Sequence, residues 1–436
     1  MAGKLGWHSL GSSFSCPCGI THRLPIEACH VGADAADRLA AFARERCGRS
    51  CLVLSDENTR QAAGNAPLSA LSSAGKRLTE HVFPADPPLE ASEELGLRVA
   101  DLGASADFFL GIGSGTVSDL VKYAGNVHGR PVLLYPTAAS MNGYTSSIVA
   151  LKVRGLKRTL LCAPALGVFA DPEVVAKAPG RMAAAGVGDF LSKTSSSADW
   201  QASHLLRGCY YCRRPREFAE EVQGRIMAAA PRVGQGDPEA VGLVLEGMFL
   251  TGFAMVIAGS SAPASGGEHL ISHYLDMKHA LYGTPCDLHG AQVGVATVYA
   301  LGLWERVLTL DPGSLRVDDL AAGHPSEEHI RAWIEADWGP VAGEVLAQWR
   351  EKALGTEALR AELARFQAIL PELRKALSED LLPSEVVARA IQESGGPVRP
   401  EELDAPVEEY KKARRHARFL RNRFTILDLA AELGLT

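Results

Sequence analysis

A chain of 436 residues is longer than one hydrophobic core usually serves, so two domains with a ligand cleft between them are expected. A composition of 47% hydrophobic and 22% charged residues excludes a disordered polypeptide. The 44 basic against 51 acidic side chains, net −7, exclude a surface that attracts nucleic acid as a whole, and an anionic substrate would need a local basic pocket.

The opening MAGKLGWHSLGSSFSCPCG has no uninterrupted apolar run, which reads as no secretory signal and a cytoplasmic protein. Nine cysteines, an odd number in a long chain, argue against a disulfide scaffold. Cys16 with Cys18 and Cys209 with Cys212 suggest zinc, but their spacings do not make a standard four-ligand set, so they read as reduced thiols.

Asp34 to Arg46 reads as a helix, and Ser50 to Ser55 (SCLVLS) as a buried strand that ends at Asp56. An acid at such a strand end can accept hydrogen bonds from an adenosine ribose and would repel a 2′-phosphate, which tilts the cofactor toward NAD over NADP. Phe108 to Ile112 is the next strand, and a glycine-rich turn, Gly113, Ser114, Gly115 and Thr116, leads straight into a helix over Thr116 to Ala124. Backbone N–H groups of such a turn point at a phosphate, although Thr116 and Val117 stand where GxGxxG would seek its third glycine. A tight turn without ligand fits the same pattern.

Pro131 to Tyr135 is a further strand and runs into PTAASMNGYTSS. Ligands of open α/β sheets bind beyond the carboxyl ends of strands, so Thr137, Ser140 and Ser146 are placed to meet a cofactor and Asn142 a substrate. Near Asp171 to Arg181 the texture changes, and Glu217 to Ala230 and Thr356 to Ser378 read as long helices. The expected architecture is an α/β domain with a parallel sheet over 1–178 and an all-α domain over 179–436. Val241 to Ala258 is apolar but carries Glu246, and reads as a buried helix and no membrane span. The basic stretch KKARRHARFLRNRFT, with Phe419, Leu420 and Phe424, reads as a helix packed on one side and solvated on the other.

Asp189, His269, His273 and His289 are the most informative residues of the second half. Carboxylate and neutral imidazole suit divalent Zn, Ni or Fe, with positions left open for a substrate oxygen. His269 and His273 are four apart and share a helix face, so one can hold a metal while the other reaches a substrate.

Seven motifs in this order resemble those of the sn-glycerol-1-phosphate dehydrogenases, within the iron-containing alcohol dehydrogenase, glycerol dehydrogenase and dehydroquinate synthase superfamily. They are GIGSGTVSDLVKYA, PTAASMNGYTS, KRTLLCAPALGVFADPEV, GVGDFLSKTSSSADW, AGSSAPASGGEHLISHYLDM, HGAQVGVAT and RFTILDLAAELGL. The resemblance implies a nucleotide-binding α/β domain, a helical domain and a divalent metal in the cleft. It implies Asp189, His269 and His289 as metal ligands, with Asp189 and His273 also contacting substrate. It places Gly115, Thr116, Val117, Ser118 and Asp119 at the dinucleotide phosphates, with Thr137, Ala138, Ala139, Ser140 and Ser146 nearby. Where the family has an aspartate this chain has Asn142, which can hydrogen-bond a hydroxyl but cannot take up a proton.

The expected reaction is reduction of dihydroxyacetone phosphate by NADH or NADPH, with Asp189, His273 and Asn142 at the reacting centre. Lys193, Arg158 and Lys157 are the candidate cations for the substrate phosphate. The alternatives are another polyol or polyol-phosphate dehydrogenase and a catalytically silent nucleotide- and metal-binding protein. A homodimer fits the family.

Overall fold

The computed structural model describes residues 4–153 and 156–436; the first three residues of the opening stretch lie outside them. Compactness divides the chain into two units, each discontinuous. The first is Met1–Phe190 with Cys212–Ser261 and Ala390–Gly396, and the second is Leu191–Tyr211 with Ala262–Arg389 and Pro397–Thr436.

The strands all lie in the first unit: β1 (Ser13–Ser15), β2 (Thr21–Arg23), β3 (Ala28–Val31), β4 (Ser50–Asp56), β5 (Arg77–Phe83), β6 (Phe108–Gly113), β7 (Val132–Pro136), β8 (Ile148–Val153), β9 (Leu156–Leu161) and β10 (Gly167–Ala170). Among the described residues, six form one parallel sheet in the order β3-β10-β7-β6-β4-β5. β1 with β2 and β8 with β9 are separate antiparallel hairpins. The expected parallel α/β sheet is therefore present. Its central strands β6 and β7 are buried at every residue, which is why they read as continuous apolar runs.

Crossover helices α1 (Ala35–Arg46), α2 (Glu57–Ala63), α3 (Ala66–Ser73), α4 (Glu93–Leu102) and α5 (Gly115–His128) alternate with the strands. Leu39 and Ala43 of α1 and Leu71 of α3 close one core with Val53, Leu110, Leu133, Tyr135 and Phe169 of the sheet. Each such large apolar side chain contributes on the order of 1.5–3 kcal/mol by leaving water.

The chain continues through α6 (Pro172–Val175), capped by Asp171, and α7 (Gly180–Leu191). α8 (Lys193–Arg207) opens the second unit, whereas α9 (Arg216–Gly234) and α10 (Pro238–Ala258) pack as part of the first. α10 is long and apolar enough to cross a membrane, yet 83% of its most apolar window is buried inside the protein. It is a core helix, as its sequence suggested.

The second unit is largely helical: α11 (Gly267–Tyr282), α12 (His289–Thr309), α13 (Val317–Gly323), α14 (Glu327–Trp338), α15 (Ala342–Arg350), α16 (Thr356–Leu377), α17 (Ser384–Glu393, which ends in the first unit), α18 (Val407–His416) and α19 (Ile426–Glu432). α11 packs against α12, and Tyr274, Trp304 and Trp338 are wholly buried there. The basic stretch is not one helix: α18 stops at His416, a 3-10 turn covers Ala417–Leu420, and the chain then extends until Thr425 caps α19. Phe419, Leu420 and Phe424 are buried, but so is Arg418, so the expected division into a packed and a solvated face fails after His416.

Candidate functional site

In the first unit the candidate surface forms where β4, β6 and β7 end. β6 leads through Ser114 into α5, and the Ser114 side chain makes no capping hydrogen bond to the helix. The first N–H groups of a long helix therefore have no side-chain cap at a glycine turn, as an anion site requires. A Cβ built on Gly113 would fall 2.7 Å from Val117, so only glycine lets the turn close onto α5. Thr116 and Ser114 are half-buried, while Val117, Ser118 and Asp119 are buried.

The loop after β7 packs beside this turn. A Cβ on Gly115 would lie 3.3 Å from Met141, and one on Gly143 would lie 3.8 Å from an Asp119 carboxylate oxygen. Helices approach from the other side only because they carry glycines. A Cβ on Gly186 of α7 would sit 1.9 Å from the Ala139 carbonyl oxygen, and one on Gly252 of α10 would sit 1.9 Å from Thr145 Oγ1 and 2.9 Å from the Asn142 carbonyl oxygen. Thr145 Oγ1 also donates to the Phe249 carbonyl at 2.8 Å, and Tyr144 donates its hydroxyl to the Ala138 carbonyl at 2.6 Å.

Lys122 is a residue that the sequence reading missed. It is fully buried on α5 and donates Nζ to the carbonyls of Gly143 and Ile148, both at 2.7 Å, and to Ser146 Oγ at 3.4 Å. It ties the middle of the SMNGYTS turn to the chain just after it, and burial lowers its pKa. Its signal was a lysine three residues after Asp119, within the otherwise weakly polar stretch LVKYAG. Asp119 accepts the Ala150 N–H at 3.0 Å, and burial pushes its carboxyl up to about 6 against the charges of Lys122 and Lys157.

The expected cofactor residues thus divide. Ser114, Gly115, Thr116 and Ser140 keep partial exposure around the turn and loop, as does Asn142, the expected substrate residue. Ser146 is wholly buried, with its hydroxyl used on the Gly143 and Ile148 carbonyls, and Thr137, Ala138 and Ala139 are buried with it. Asp56 stands at the end of β4, where its carboxylate accepts the Thr59 N–H at 2.9 Å and caps α2. Lys157 and Arg158 lie on β9, and Asp189 is buried on α7.

In the second unit α11 and the start of α12 bring three histidines together. Ring centroids are 5.2 Å apart for His269 and His289, 5.7 Å for His273 and His289, and 6.2 Å for His269 and His273. His269 Nδ1 lies 2.9 Å from Glu268 Oε1, and His289 Nδ1 lies 2.9 Å from Ser272 Oγ. The Glu268 carboxylate accepts, so His269 carries Nδ1–H and its Nε2 holds the lone pair, the form a divalent cation takes; the Ser272 hydroxyl engages His289 Nδ1 as donor or acceptor. Imidazole nitrogens of this kind are donors suited to a divalent cation. His273 Nδ1 is buried without a hydrogen-bond partner, and burial, Arg421 and the other two histidines hold its pKa well below the usual range.

Asp199 is the second missed residue. It is buried on α8 and accepts the N–H of Gly267 at 2.7 Å, of Ile426 at 3.0 Å and of the Trp304 indole at 3.0 Å. It fixes the first turn of α11, which carries His269. Burial and the neighbouring Glu268 push its carboxyl well above the ordinary range. Lys193, at the start of α8, is buried and donates to Ser192 Oγ at 3.1 Å and to the Ala264 carbonyl at 3.2 Å. Arg421 supplies the positive charge beside His273.

Comparison with known proteins bears on the family and the fold. A family model described as iron-containing alcohol dehydrogenase matches residues 30–179. A glycerol-1-phosphate dehydrogenase [NAD(P)+] of Bacillus velezensis is 30% identical over 73% of this chain and 83% of its own length. The one from Geobacillus stearothermophilus is 28% identical over 96% of each. Among solved structures, glycerol dehydrogenase from Schizosaccharomyces pombe superposes with a TM-score of 0.56 at 18% identity, covering 81% of this chain and 91% of that one. With a parallel sheet that ends at a glycine turn, a histidine cluster on α11 and α12, and relatives matched over most of their length, the chain belongs to the glycerol-1-phosphate dehydrogenase-like, NAD(P)-dependent oxidoreductases of the iron-containing alcohol dehydrogenase family.

Proposed function

We propose that the chain reduces dihydroxyacetone phosphate to sn-glycerol 1-phosphate with NADH or NADPH, using one divalent Zn, Ni or Fe ion. The observation that carries this reading is the His269, His273 and His289 cluster, with Nδ1 of both proposed ligand histidines already engaged. Asp189, His269 and His289 are the proposed ligands. When bound, the metal supplies a Lewis acid for the ketone oxygen and the nicotinamide supplies the hydride.

The protein's own groups do the rest. The N–H groups of Gly115 to Val117 hold the dinucleotide phosphates, Asp56 faces the adenosine ribose, and Asn142 orients a substrate hydroxyl. His273, kept neutral, relays a proton from water and does not store one. Lys193, Arg158 and Lys157 are the proposed cations for the substrate phosphate, and Arg421 joins them because its charge already reaches His273. A homodimer in the cytoplasm is part of the same proposal.

The test is a panel of ketones and ketone phosphates assayed with NADH and NADPH after metal analysis. Dihydroxyacetone phosphate should have the highest kcat/KM, and chelation should abolish turnover until one divalent metal is returned. Full activity without metal, or preference for an unphosphorylated ketone, would overturn the reading. Asn142 favours a second reading, a different polyol or polyol phosphate. If that is correct, Asn142→Asp raises activity on dihydroxyacetone phosphate relative to the native substrate; if asparagine only orients the hydroxyl, the preferred substrate stays and the rate or its pH dependence changes. Failure of bound NADH to be oxidised in a single turnover by any ketone phosphate would leave a silent binding protein.

A further inference from the structure

The β1–β2 hairpin carries Cys16 and Cys18 in its turn and His22 on β2, and Cys212 comes from the segment just before α9. The ligand atoms of these four residues all lie within 4.8 Å of one another. Cys16 Sγ is 3.6 Å from Cys212 Sγ, Cys18 Sγ is 3.3 Å from His22 Nε2, and Cys212 Sγ is 3.6 Å from His22 Nε2. We infer that this cluster is a structural zinc site of Cys3His type, separate from the histidines of α11 and α12.

Ligand-to-ligand distances favour a metal over a disulfide. Around one zinc with Zn–S of about 2.3 Å and Zn–N of about 2.0 Å, tetrahedral angles put sulfurs about 3.8 Å apart and sulfur and nitrogen about 3.5 Å apart. The three separations above lie within about 0.2 Å of these values, and the other pairs lie within 4.8 Å. A disulfide would need its sulfurs at about 2.0 Å.

The surroundings are those of a metal site as well. His22 Nδ1 lies 2.5 Å from the Ile257 carbonyl, so it must donate, and Nε2 then presents its lone pair to the three sulfurs. The turn closes with Gly19 N–H on the Cys16 carbonyl at 3.0 Å and Cys16 N–H on the Ile20 carbonyl at 3.1 Å, and Gly19 takes φ 87°, which suits glycine. The Arg214 N–H faces the Cys212 sulfur. His22 and Cys212 are buried, and Cys16 and Cys18 are half-buried, which leaves a path for an ion.

Charge and protons balance. One Zn2+ displaces three thiol protons and leaves a centre of charge −1. Four protein donors fill the tetrahedron, so the ion has no open position for substrate and acts as a staple. It fixes the hairpin to the end of α10 through His22 and to the start of α9 through Cys212.

The test uses the full-length chain. Zinc per chain, measured by mass spectrometry of the elements, should fall by one equivalent in Cys212→Ser and in Cys16→Ser and stay unchanged in Cys209→Ser, whose cysteine is exposed and outside the cluster. X-ray absorption at the zinc edge of the unsubstituted protein should show sulfur neighbours at about 2.3 Å, a readout that survives if the serine variants fail to fold. Equal zinc in all variants, a zinc spectrum without sulfur, or a Cys16–Cys212 disulfide in zinc-free protein would overturn the assignment. These outcomes are independent of the substrate proposed above, because none is read from activity.

Discussion

Around residues 137–146 the first unit makes its surface from backbone, whereas around His269 the second makes one from side chains. The loop is seated by the lack of side chains at Gly186 and Gly252 and pinned through carbonyls by Lys122. The histidines are aimed by Glu268 and Ser272, with Asp199 holding the helix that presents them. A backbone-built surface tolerates changes of chemistry but not of volume, and a side-chain-built one the reverse.

The largest effect that sharpens this contrast is on the side-chain surface. His269→Ala and His289→Ala should each lower bound metal and reduce kcat/KM by about 10³-fold, roughly 4 kcal/mol of transition-state stabilisation. His273→Ala should keep the metal and lose turnover. Metal analysis beside steady-state kinetics decides this, and equal metal loss in all three would mean that the roles on α11 are wrongly divided.

On the backbone surface volume should dominate. Gly186→Ala places a methyl 1.9 Å from the Ala139 carbonyl oxygen, a backbone atom that cannot step aside, and should cost about 3 kcal/mol in urea unfolding. An unaltered unfolding midpoint would show that the loop is not seated against α7.

Much of the side-chain surface was legible in sequence because its chemistry is local: EHLISH puts His269 and His273 on one helix face whatever surrounds them. The central strands were legible too, since burial on both faces demands apolar runs such as FFLGI. β3 and β10 are short and β5 is a mostly exposed edge strand, so they gave no such run. What was hidden depends on partners distant in the chain. Cys212 meets His22 from 190 residues away, so spacing along the chain could not show these residues together. Lys122 and Asp199 look like ordinary helix residues until the carbonyls and N–H groups they serve are in place.

Asp199 tests whether the histidine helix depends on its buried carboxylate. Asp199→Ala leaves three buried N–H donors without their acceptor and should cost on the order of 2–3 kcal/mol. Asp199→Asn keeps an acceptor and should recover part of it. If both variants unfold like the parent, the start of α11 is held by packing alone.

The smallest effect is a pH dependence at the boundary between the two modes, because Asp119 is a side chain used to support a backbone loop. Its carboxyl titrates near 3.8 in an unfolded chain and is raised to about 6 by burial in the folded one. Between those values the folded chain holds a proton that the unfolded chain has released. Stability from this group is therefore greatest below about pH 4, falls as pH rises, and is gone above about 6, by at most roughly 3 kcal/mol. Other carboxylates slope the opposite way, among them Asp34, which Arg38 and His30 lower to about 2, so the absolute profile does not isolate Asp119. The difference between the parent and Asp119→Asn does. Measured by urea unfolding, the parent's advantage over the variant should shrink by about 2 kcal/mol from pH 4.5 to pH 7, because only the parent must give up a buried proton. A difference that does not change with pH would mean that Lys122 keeps the carboxylate charged throughout, and that the loop is supported by an ion pair as well as by backbone hydrogen bonds.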